Sequence, residues 1–188
     1  MSEGDTSAWR AAVGGSTEHH ETPEWVDSCG SYVRDMWEYL DDPDAPPLTE
    51  PQIRARLRAL HSAKADLLRL VEKARADHIE GPDNRVARGN EWSFPVGERR
   101  TTQSIGELRQ PRQGCDVWRL HHRAYFAAPR VWPGSLVWSF AAFKPDQSAS
   151  DDWAAIQNTH IAEADRSASA YITAYDADIT AIHRRMSP

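Results

Sequence analysis

Between Asp116 and Phe126 the chain reads DVWRLHHRAYF, a stretch in which no acid after Asp116 answers the cations. As a strand its odd positions are Val117, Arg119, His121, Arg123 and Tyr125, and its even positions are Trp118, Leu120, His122, Ala124 and Phe126. One side therefore carries two guanidiniums, an imidazole and a phenol, while the other is mostly apolar. Guanidinium forks hold phosphate bidentately. An imidazole exchanges its proton near neutrality. A phenol ring stacks on an unpaired base. Arg109, ending the preceding strand, and Lys144, ending the following one, extend the same surface across an antiparallel sheet. The set suits attack of an RNA 2′-hydroxyl on its own 3′-phosphate. His121 would act as base or acid, and Arg119, Arg123 and Lys144 would stabilise the pentacoordinate state. Arg109 and Tyr125 would help to hold the strand of RNA. The route asks for no divalent metal and no cofactor. The same residues also fit an ordinary exposed sheet face or a protein interface.

Other chemistries have weaker footing. The sequence holds no Gly-rich phosphate loop, CxxC, HExxH or GxSxG elbow. Cys29 and Cys115 are far apart and form no redox or metal motif, which suggests a reduced, cytoplasmic setting. Adjacent histidines in EHHE (18–21) cannot share a helical face, so this stretch reads as solvated rather than metal-binding. Nothing reaches a membrane-spanning length of apolar residues, and MSEGDTSAWR lacks the apolar region of a secretory signal. The net charge of −6 is unevenly spread: residues 1–50 hold twelve acids and two arginines, and the remainder holds twenty cations and sixteen acids. An acidic N-terminal extension, 1–48, thus precedes a mildly basic domain, 49–188. The extension reads either as a solubilising tail or as a cover for the cationic surface.

The elements that would position these residues follow from spacing. Thr22 is an N-cap with Pro23 in the first turn, and Trp25, Cys29, Val33, Met36 and Leu40 recur at helical intervals. DDPDAPP (41–47) stops that helix. TEPQ (49–52) is a capping box opening a second helix, with Ile53, Leu57, Leu60, Leu67 and Val71 as its stripe. It runs to about His78 and ends at Gly81-Pro82. The run AWRAAV (8–13) is a strand or irregular, and 81–104 is a connecting loop. Alternation then predicts strands over 105–109, 117–126 and 135–144, with PRQG as the first turn. SASDD caps a long helix whose stripe is Trp153, Ile156, Ile161, Ala164, Ala168, Tyr171, Tyr175, Ile179 and Ile182. The expected fold is α+β: an N-terminal helical pair and a long C-terminal helix on one face of a small antiparallel sheet. The other face is then free, with Arg119, His121, Arg123 and Tyr125 on it and His122 turned inward.

The runs IGELR (105–109), VWRLHHRAYF (117–126), LVWSFAAFK (136–144) and DWAAIQNTHIAEADRSASAYI (152–172) resemble the RelE/HigB-like toxin superfamily, especially its phage-derived branch. The matching residues are Glu107-Leu108-Arg109, Val117-Trp118-Arg119, Phe143-Lys144, and Trp153, Ile161, Ala164, Asp165, Arg166 and Tyr171. The likeness covers residues 101–175. It implies the toxin of a type II toxin–antitoxin module: a small cytoplasmic α+β endoribonuclease that cuts mRNA, often on the ribosome, and is neutralised by a cognate antitoxin protein. By the same resemblance Arg109, Arg119 and Lys144 occupy phosphate-binding or catalytic positions. His121, Arg123 and Tyr125 rest on the strand argument alone. The contrasting expectation is a non-catalytic phage or accessory protein using the sheet as an interaction surface.

Overall fold

The computed structural model describes residues 18–76, 79, 91–96, 101–111, 115–147 and 151–186. AWRAAV, the helix stop at Gly81-Pro82, most of the PRQG turn, residues 148–150 of the cap and the side chain of Ile182 lie outside the described residues. In chain order the elements are β1 (Glu18–Glu21), α1 (Pro23–Tyr39), α2 (Glu50–Arg75), β2 (Trp92–Val96), β3 (Ile105–Gln110), β4 (Leu120–Ala127), β5 (Ser135–Pro145) and α3 (Trp153–Met186).

The helix starts follow from their caps. The Thr22 hydroxyl accepts from the Trp25 amide (3.1 Å), and Gln52 Oε1 accepts from the Thr49 amide (2.8 Å). Glu50 and Glu24 sit in first turns, where the positive end of the helix dipole favours them. α2 ends at Arg75, about one turn before the expected His78.

The five strands form one mixed sheet in the order β1-β5-β4-β3-β2. The meander β2 to β5 is antiparallel, and β1 lies parallel to β5 through Ser135–Trp138. Two of these strands fall where loops were expected. EHHE, expected to be solvated, is β1 with both histidines partly buried, because the His19 ring stacks on Trp138 and His20 packs among Trp132, Tyr171 and Tyr175. WSFPV is β2, an edge strand that tolerates Pro95 because its outer side needs no ladder hydrogen bond.

The expectation of helices on one face only is also corrected. α1 and α2 bury Trp25, Tyr32, Met36, Leu60, Leu67 and Val71 against Leu108, Ala124, Phe126, Leu136 and Trp138. α3 covers the opposite face, placing Ile161, Ala164, Ala168 and Ile172 against Ile105, Tyr125, Ala127, Val137 and Ala142. The fold is an α+β three-layer arrangement with a two-sided sheet. The stripe of α3 ends earlier than its spacing suggests, since Tyr175 and Ile179 are exposed. A boundary at residue 48 would fall between α1 and α2, but both helices contribute to the same core, and β1 belongs to the same sheet. No helix among the described residues is long and apolar enough to cross a membrane.

Candidate functional site at the end of the sheet

β4 begins at Leu120, so Val117–Arg119 form a turn rather than strand. Asp116 builds that turn: one carboxylate oxygen accepts from the Trp118 and Leu120 amides (2.9 and 2.8 Å). The other faces His122 Nε2 at 2.9 Å. Arg119 takes the left-handed backbone at φ 60°, uncommon for a non-glycine residue. Its side chain is exposed and lies 3.9 Å from Asp146. Arg119 is therefore beside the strand, not on its ribs.

Inside β4 the odd positions face α3, and the neighbouring strands fix which residues join them. The register pairs Glu107 with Tyr125, Arg109 with Arg123, and His121 with Lys144. Residues directly opposite each other share a face and bring their side chains close. Because α3 lies on this face, Tyr125 is fully buried and Arg123 nearly so, which overturns their placement on a free surface. Arg123 Nε lies 3.4 Å from Glu107 Oε2, an ion pair with both side chains buried. Gln157 of α3 bridges the pair to Lys144: its Nε2 donates to Glu107 (3.1 Å) and its Oε1 accepts from Lys144 Nζ (2.6 Å). The ammonium also sits 4.5 Å over the Trp153 ring. His121 Nε2 is 3.1 Å from Asp146 Oδ2 and remains partly exposed. Arg109 is half-buried, with one guanidinium nitrogen donating to the Trp92 carbonyl (3.1 Å).

Burial sets the charge states. It pushes Lys144 down to about 8, with Arg123 adding repulsion and Glu107 opposing both. His121 is lowered by burial, with Arg123 and Lys144 in the same sense and the Asp146 hydrogen bond against. A neutral His121 and a largely protonated Lys144 therefore coexist near pH 7, side by side. Burial also lowers Arg109, and it raises Tyr125 well above the usual phenol range, Glu107 adding to the rise. His160 of α3 is driven to about 4 by burial and by Lys144 and Arg123. Tyr125 thus stays a neutral phenol under the helix and presents no ring for stacking on a base.

His122 lies on the opposite face, buried at 1% exposure, as the alternation requires. Its Nδ1 is 3.1 Å from the Tyr32 hydroxyl, which is itself 2.8 Å from the Ala142 carbonyl. Burial lowers its pKa despite Asp116, so the ring is neutral at pH 7 and Nε2–H donates to Asp116. Nδ1 and the Ala142 oxygen then compete for the one hydroxyl proton of Tyr32.

Of the six residues singled out by sequence, Arg109, Arg123, His121 and Lys144 share the α3-facing layer at one end of the sheet, with Arg119 at its rim. Tyr125 lies deeper in the same layer, against α3. Of the acidic segment, α1 lies on the other side of the sheet, and among the described residues it is α3 that covers this layer. The partners Glu107, Asp146, Gln157, Trp153 and His160 were not expected as site residues. Glu107 lay within the strand motif and could have been found from its odd position opposite the cationic strand. Gln157 and His160 had no such signal, because the helix was assigned to the wrong face.

No protein-family model, curated protein or solved structure matches the chain.

Proposed function

We propose that the protein is a metal-independent endoribonuclease of the RelE/HigB-like kind, a toxin acting on mRNA and held in check by a cognate antitoxin. The observation that carries this reading is the cross-strand pair His121 and Lys144, a neutral imidazole beside an ammonium whose pKa lies at about 8. Neutral His121 takes the proton of the attacking 2′-hydroxyl. Lys144 delivers a proton to the departing 5′-oxygen, leaving a 2′,3′-cyclic phosphate and a free 5′-hydroxyl. Arg109 and Arg119 neutralise the phosphorane oxygens from the rim. Asp146 orients His121. Arg123, paired with Glu107, tunes Lys144 and does not touch the phosphate.

The test is RNA cleavage in a translation extract, comparing wild type with His121→Asn and Lys144→Ala. Each variant should lose on the order of a hundredfold or more, as removal of a general acid or base does. The wild-type rate should rise through the lowered His121 pKa and fall through about 8. Full activity in both variants, or no cleavage by the wild type, overturns the assignment. One observation favours a second reading, a binding surface without catalysis: Lys144 Nζ is closed over by Gln157 and Trp153. RNA binding without cleavage, and no growth arrest on induction, would favour it.

A further inference from the structure

β1 accompanies β5 only as far as Trp138. Beyond it, α1 takes the place of a neighbouring strand. The Thr22 hydroxyl donates to the Ser139 carbonyl (3.2 Å), the Ala141 amide donates to Ser28 Oγ (3.0 Å), and Tyr32 reaches the Ala142 carbonyl. Past these contacts α1 and α3 diverge over the end of β5, and a cavity of about 290 Å³ opens between them. Its walls are aromatic. Tyr32 and Tyr39 meet Phe143 edge-on at 5.9 and 5.5 Å, and Phe140 stacks obliquely on His160 at 5.9 Å. His160 adds no positive charge at neutral pH, since its pKa is about 4. One carboxylate, Asp35, stands at the wall, oriented by the Ser31 hydroxyl at 2.6 Å.

The cavity continues into an open trough of about 760 Å³ that shares Asp35, Phe140 and Ala141. Glu24, Asp27 and Glu163 add three more acids there; Arg34 lines the same trough and pairs with Asp35 at 3.3 Å, and Arg166 pairs with Glu163, so the four acids still outnumber the two cations. Electron-rich ring faces with a carboxylate beside them attract an organic cation, and burial strengthens that attraction. An acidic trough leading away from such a pocket selects a chain that carries further positive charge. Neither His121 nor Lys144 lines either part.

We propose that this groove binds an extended basic segment of a partner protein. One arginine or lysine side chain of that segment enters the Tyr32–Tyr39–Phe143 pocket and pairs with Asp35, and flanking cations lie along Glu24, Asp27 and Glu163. The hydrophobic stem of the entering side chain packs on the rings, and its charged head meets the carboxylate. The inference is independent of the ribonuclease reading.

The probe is a fluorescein-labelled decapeptide of alternating Arg and Val, titrated into the full chain by fluorescence anisotropy. Asp35→Asn and Tyr39→Ala alter partly exposed or exposed side chains, so both variants should melt at the wild-type temperature. Each should weaken binding by about tenfold, as expected for loss of a charge-assisted or cation–π contact. The pair Asp66→Asn and Glu72→Gln on α2 removes two acids elsewhere and should leave binding within about twofold. Equal weakening by the α2 pair would show mere attraction to the net negative charge and overturn the proposal. Methylguanidinium binding as tightly as the peptide would make this a small-cation pocket, which also overturns it. Absence of peptide binding to the wild type does the same.

Discussion

Glu107→Gln isolates the charge at the centre of the layer beneath α3. Glu107 and Arg123 are 3% and 6% exposed, and their charged atoms lie 3.4 Å apart. At an effective dielectric constant of ~20, two unit charges at that distance attract by about 5 kcal/mol. Relief of the carboxylate's own desolvation offsets part of this, and breaking a buried pair typically costs ~3–5 kcal/mol. Gln keeps the shape and one acceptor oxygen, so the expected loss is about 3 kcal/mol. For a domain of this size, that lowers the melting temperature by on the order of 10 °C. Urea unfolding followed by tryptophan fluorescence reads it, with eight tryptophans in the chain as reporters. Replacing both partners, Glu107→Leu with Arg123→Met, should recover much of the loss, because no uncompensated charge is left. The same single substitution removes the one neighbour that holds Lys144 upward most strongly, so the alkaline limb of RNA cleavage should move below about 8. A Glu107→Gln protein within ~0.5 kcal/mol of wild type, or effects of the two positions that simply add, would refute the coupling.

Three further outcomes are expected. His160 has a folded pKa of about 4 against an ordinary 6.5, so the unfolded chain takes up the proton first. Stability should be intact above pH 6.5 and decline as pH falls toward 4; His160→Leu should flatten that decline in pH-dependent melts. A side chain at Gly106 would meet the Phe126 ring at 2.1 Å, and that ring is fully buried and stacked on Phe94, so Gly106→Ala should cost ~2–3 kcal/mol by urea unfolding. Tyr32→Phe removes the hydroxyl between His122 and Ala142, with an expected cost of ~1–3 kcal/mol and a rise in solvent exchange of His122 ring protons by NMR.

The helix starts were legible because Thr22 and Thr49 signal locally: each needs only its own first turn to be satisfied. β3, β4 and β5 were legible for a similar reason, since a change from helical to alternating spacing and the turn residues between the runs are local signals too. β1 and β2 were not. Four residues of Glu and His carry no strand pattern until Trp138 and Tyr171 supply aromatic partners from far along the chain, and Pro95 hides an edge strand. The face assignment failed on β4, whose odd positions look solvated only when Glu107 on the adjacent strand is left out. β5 held the better signal. Its LVWSFAAFK is apolar on both sides, with Leu136 and Trp138 toward α1 and α2, and Val137 and Ala142 toward α3. Such unbroken runs belong to sheets covered on both faces. Of the candidate site, the cations were readable, but their acidic and amide partners arrive through register and helix packing.

The junction at Thr22 bears on how the chain assembles. Its hydroxyl contacts the Ser139 carbonyl and the Ser167 hydroxyl, so a residue at the start of the chain meets, at one fully buried position, two segments that each lie more than 100 residues further on. β1 likewise waits for β5 before it has any strand to pair with. During synthesis the first helix therefore leaves the ribosome long before its docking site exists, and the β2–β5 meander must form the template that captures it. Such non-local closure slows folding, and it makes the nascent N-terminal half the segment exposed to chaperones and proteases for longest.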